Sequence, residues 1–66
     1  MSLSQSRLCD CAINAAREAL AGRTDIDTAR RVYAGAKRNG VPAEALRPAR
    51  RYLAAAERIE AAAVVL

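Results

Sequence analysis

What most limits this chain is the small size of its apolar side chains. Of its 66 residues, 17 are alanine, none is Phe or Trp, and Tyr33 and Tyr52 are the only aromatics. So little bulk fills a core only if backbones approach closely, as helices do where small residues line their contact. Alanine is also the strongest helix former, while the β-branched residues that suit strands are scarce. An all-α fold is therefore expected. Bulky core candidates are Leu8, Ile13, Leu20, Ile26, Val32, Tyr33, Val41, Leu46, Leu53, Ile59 and the Val64–Val65–Leu66 end. Such a length makes a single domain, residues 1–66, with a core small enough that a second copy would help to stabilise it.

Apolar spacing divides the chain into three helices. The first is expected from Ser4 or Ser6 to Ala21. Cys9, Ala12, Ile13, Ala16, Ala19 and Leu20 fall on one face, with Arg7, Asp10, Asn14 and Arg17 opposite. Gly22 closes it. The second begins at "TDID", where Thr24 can cap the helix and Asp27 stands at the capping-box position. Its buried stripe is Ile26, Ala29, Val32, Tyr33 and Ala36, and Gly40 stops it after Lys37 and Arg38. Pro42 then opens a short turn to Arg47. Inside a helix, Pro48 would lose a backbone hydrogen bond and clash with the Glu44 carbonyl. The long third helix is accordingly expected from about Pro48 to Val65. The whole is a small three-helix domain: a helical hairpin, a short turn, and a long C-terminal helix.

That third helix carries a near-heptad stripe, Tyr52, Ala55, Ala56, Ile59, Ala62, Ala63 and Leu66. After Glu60 no charge remains, so this end must pack on something. It can dock on the first helix, or Tyr52, Ala56, Ile59, Ala63 and Leu66 can form the self-association seam of a homodimer.

Charge is unevenly spread within a net +4. Between Arg30 and Arg51 stand seven bases, Arg30, Arg31, Lys37, Arg38, Arg47, Arg50 and Arg51, against one acid, Glu44. The rest of the chain holds four bases and six acids. A patch of this kind suits a polyanion or an acidic protein surface. Six of the seven bases are arginine, whose planar fork grips phosphate or carboxylate with two hydrogen bonds. Nucleic acid, double-stranded DNA above all, is the first expected partner, held mostly by its phosphates. An acidic protein surface is the second, in an adaptor or inhibitor of the kind some phages encode. A purely structural homo-oligomer is the third reading. Both tyrosines fall on apolar stripes, which argues against stacking on single-stranded bases.

The segment "AKRNGVPAEALRPARR", residues 36 to 51, bears on how DNA would be met. With Gly40 as a turn glycine, Ala36 lies where a tight helix crossing wants a small side chain. Val41 becomes the buried turn residue, and Leu46 and Ala49 face back toward the preceding helix. In this the segment resembles the repressor-type helix-turn-helix. That resemblance implies contacts to bases from Ala43, Glu44 or Arg47. Asn39, where the motif wants a buried aliphatic, and Pro48, inside the would-be recognition helix, depart from it. A plain hinge with a basic surface explains the same letters.

Catalysis finds no support. Without histidine there is no ordinary base near neutral pH, and there is no glycine-rich phosphate loop. Cys9 and Cys11 are too few for a closed zinc site and point to opposite sides of a helix. No cofactor or metal is expected. The chain shows no disulfide framework, no signal peptide and no apolar stretch long enough to span a bilayer, so a cytoplasmic location is expected.

Overall fold

Helices α1 (Leu3–Leu20), α2 (Ile26–Arg38) and α3 (Arg47–Val64) make up most of the chain. The structure, a computed structural model, describes residues 1–64, with side-chain surroundings through Ala63. Among the described residues there is no strand. The domain is all-α, with three helices as the spacing predicts.

The helix ends differ from expectation in instructive ways. α1 starts at a reciprocal capping box: the Ser2 hydroxyl accepts from the Gln5 backbone N–H at 3.1 Å. The Gln5 side chain in turn accepts from the Ser2 N–H at 2.9 Å. Two orphan donors are satisfied at once, and Ser4 and Ser6 fall inside the helix. α2 is capped by Asp25 rather than Thr24, and Asp27 belongs to no capping box. The Asp25 carboxylate accepts from both the backbone N–H and the hydroxyl of Thr28. Its full negative charge suits the positive helix end better than a hydroxyl does.

Both glycine ends are Schellman motifs. Gly22 and Gly40 take φ of +79° and +85°. Arg23 and Val41 reach back to the carbonyls of Glu18 and Ala36, and the glycines to those of Ala19 and Lys37. Asn39 is the C-cap of α2 and donates from its side chain to the Gly35 carbonyl at 2.7 Å. A polar residue is needed there, not a buried aliphatic.

The turn after Val41 is held by bonds from Ala45 and Leu46 to the Pro42 carbonyl and from Arg47 to Glu44. Pro48 is the second residue of α3. Its missing N–H falls among donors that have no helical partner anyway, so the proline neither kinks nor breaks the helix. The Ala45 carbonyl accepts instead from the Cys9 thiol at 3.3 Å. This contact pins the start of α3 to the middle of α1.

α1 is the hub: it packs along both other helices, which touch each other little. Cys9, Ala12, Ala16 and Ala19 meet Ala29 and Ala36 of α2, Val41 and Leu46 of the connection, and Ala49 and Leu53 of α3. α2 runs antiparallel to α1, with Gln5 donating to the Asn39 carbonyl at 3.0 Å. α3 runs parallel to α1, since Ala45 meets Cys9 and Tyr52 meets Arg17.

This parallel course corrects the expected third stripe. Leu46, Ala49, Leu53 and Ala56 are buried, whereas Ile59 is 59% exposed. Cys9 and Ala45 are 36 residues apart in sequence. The same offset sets Leu20, the last residue of α1, level with Ala56. Beyond that level α3 has run past the end of α1; Glu57 still pairs with Arg30 of α2, but residues 57–63 are all exposed. They do not dock on α1, and Ile59 is not a core residue. The projecting end contributes to a molecule 44 Å long and 19 by 15 Å across.

Candidate polyanion-binding surface

At 100° per residue, Arg47, Arg51, Ala54 and Arg58 form one line along α3, with Arg50 beside it. The buried stripe lies on the opposite side, so all four arginines are exposed. Two shallow depressions flank the Arg47–Arg51 line. One, of about 320 Å³, is lined by Arg47, Arg50, Arg51 and Ala54. The other, of about 260 Å³, is lined by Arg47, Pro48, Arg51 and Tyr52. No acidic side chain lines either.

Of the seven basic residues singled out by sequence, Arg30 is set apart. Its guanidinium donates to Asp27 at 2.9 Å and to Glu57 at 2.8 Å. Hydrogen bonds to Glu57, and then to Asp27, raise its pKa above the ordinary arginine value. This charge is compensated within the fold, where it ties α2 to α3. The other six, Arg31, Lys37, Arg38, Arg47, Arg50 and Arg51, are exposed and have no ion-pair partner among the described residues. The depressions bring Arg47, Arg50 and Arg51 together. Arg31, Lys37 and Arg38 line neither; they stand on α2, Lys37 with its ammonium 5.9 Å from the Tyr33 ring centre.

Two further cations join the surface that sequence reading left out. Arg58 continues the line of Arg47 and Arg51, and its eleven-residue separation from Arg47 in the sequence would have revealed it. Arg17 comes from α1, with its guanidinium 5.7 Å from the Tyr52 ring centre. Nothing in the sequence signals that contact, because it depends on the pairing of α1 with α3.

The described residues of the expected self-association seam lie along α3 and differ in burial. Tyr52 is half-buried, Ala56 belongs to the intramolecular core, and Ile59 and Ala63 are exposed. Leu66 lies outside the described residues. Cys9 is buried and Cys11 exposed, and the described residues hold no group of three or more potential metal ligands. No described helix is long and apolar enough to cross a membrane.

Ala36, Val41, Leu46 and Ala49 are all buried, as helix-turn-helix spacing would have them. They pack in the core built around α1, however. Residues 39–46 separate α2 from α3, and Ala43 and Glu44 lie in the turn rather than on a helix. The segment is the connection between α2 and α3, with exposed basic residues on both helices beside it. Comparison with known proteins gives no match: no family model, no curated protein and no solved structure resembles the chain.

Proposed function

We propose that this is a small, non-enzymatic cytoplasmic protein that binds double-stranded DNA through its phosphate backbone. The observation that carries the reading is the arginine line of α3. Arg47, Arg50, Arg51 and Arg58 are exposed on one side of one straight element, and no described acid pairs with them. Guanidinium groups so placed can donate two hydrogen bonds each to phosphate oxygens. With Ala43 and Glu44 in the turn, base reading contributes little, and affinity comes from neutralised phosphates. Arg31, Lys37 and Arg38 extend the positive field across α2. Self-association through the projecting end of α3, centred on Ile59, would place two such surfaces on one duplex.

Fluorescence anisotropy of a labelled random duplex, titrated at low and near-physiological salt, tests the reading. Affinity is expected to fall steeply with salt and to disappear in the Arg50→Glu/Arg51→Glu variant. If the duplex does not bind even at low salt, DNA is the wrong polyanion, and the same arginines face an acidic protein surface instead.

A further inference from the structure

We infer that the depression between Tyr52 and the Arg47–Arg51 pair is a subsite for an unpaired nucleotide, base against Tyr52 and Pro48, phosphate on the arginines. This deepens the polyanion reading and rests on it. A surface made only to grip phosphate needs cations alone, as in the neighbouring depression lined by Arg47, Arg50, Arg51 and Ala54. The Tyr52 depression differs in having an aromatic ring and a proline ring among its four lining residues. Pro48 and Tyr52 are four residues apart, one turn of helix, and Arg47 and Arg51 repeat that spacing on the adjacent line. Two apolar rings therefore lie in one row and two guanidinium groups in the next. A nucleotide has the same two parts, a planar apolar base and a charged phosphate.

Tyr52 is also unlike an ordinary core tyrosine. It stays partly accessible where Leu53, beside it in sequence, is 7% exposed. Its ring has the Arg17 guanidinium of α1 at 5.7 Å, and it shares the depression with Arg47 and Arg51 of its own helix. A base stacked on such a ring gains from the ring and from neighbouring cations together. The apolar stripe that argued against stacking in the sequence is thus only partly covered by α1. Single strands, frayed duplex ends and bulges supply unpaired bases, and the subsite would favour these over uninterrupted duplex.

Tyrosine emission reads this subsite directly, since the chain has no Trp and a Tyr33→Phe variant leaves Tyr52 as the single reporter. The variant is titrated with a short oligothymidylate, with an abasic strand of the same phosphate count, and with a blunt duplex. Oligothymidylate is expected to quench Tyr52 and to bind roughly tenfold more tightly than the abasic strand. Tyr52→Leu should lose that advantage while binding the abasic strand as before, and Tyr52→Phe should keep it, because stacking uses the ring and not the hydroxyl. Equal affinity for the two strands with unchanged emission would overturn the subsite, and salt-sensitive duplex binding would then leave the phosphate surface standing. If none of the three probes binds, the subsite and the DNA reading fall together.

Discussion

Gly35 and Gly40 stand on either side of the end of α2 and make opposite demands on a side chain. Gly35 is helical, and a Cβ added there meets nothing within 4 Å. Gly35→Ala should therefore raise stability by roughly 0.5–1 kcal/mol, the difference in helix propensity. Gly40 holds φ at +85°, and a Cβ would come within 2.9 Å of the Gln5 amide nitrogen. That nitrogen is the donor to Asn39 that joins the two helix ends. Gly40→Ala should cost about 1–2 kcal/mol for the left-handed backbone alone, and more from the displaced amide. Thermal melts of the two variants should move in opposite directions. Asp25 supplies a second residue-scale test. The Thr28 hydroxyl and backbone N–H hold its pKa below the ordinary aspartate value. A lowered pKa means that its contribution is complete above that ordinary value and is lost as pH falls through the lowered one, below about pH 4. Asp25→Asn keeps the cap without the titration. Its stability should be flatter across that acid range than the wild type's, and an unchanged acid limb would assign the effect elsewhere.

Each helix shows a different limit to what sequence can specify. α1 and α2 were legible because glycine, proline and polar caps act within four or five residues of where they stand. Even their starting caps moved by a residue or more, since Ser2 and Asp25 compete with neighbours of similar chemistry. α3 was legible in extent but not in facing. Tyr52, Ala55, Ala56, Ile59 and Ala62 make as good an apolar row as Leu46, Ala49, Leu53 and Ala56, and the choice falls to the parallel pairing with α1. The Arg30–Glu57 and Arg17–Tyr52 contacts were hidden for the same reason, as both follow from register between helices. Truncation separates the two rows. Leu53→Ala should cost about 2–4 kcal/mol, close to abolishing the fold of so small a core, whereas Ile59→Ala should change monomer stability by less than about 0.5 kcal/mol. If the protein self-associates through the projecting end, Ile59→Glu should return it to monomer in sedimentation equilibrium with its helicity intact. A variant that still assembles would place the interface off this end of α3.

For the whole molecule, the arrangement of charge matters more than its net value. Every described ion pair uses an acid from outside the basic segment: Glu18 with Arg23, and Asp27 and Glu57 with Arg30. The acids thus neutralise Arg23 and the Arg30 that bridges α2 and α3, and the outward line of α3 is left with its charge intact. This predicts which arginines govern salt sensitivity. With six of the seven patch cations lacking a described partner, the slope of log affinity against log salt for duplex DNA should reach about −5. Each phosphate contact contributes about 0.9 to that slope. Arg50→Gln with Arg51→Gln should flatten it by roughly 2. Arg30→Gln should leave it unchanged, because Arg30 has no charge to spare while Asp27 and Glu57 hold it. Its loss should instead loosen α2 from α3, visible as faster amide hydrogen exchange near residues 27–31. Were Arg30→Gln to flatten the slope as much as either α3 arginine, the ion pairs would have to open on binding. The surface would then be assembled by its ligand, with Glu57 displaced by phosphate, and α2 and α3 would close on DNA as a pair.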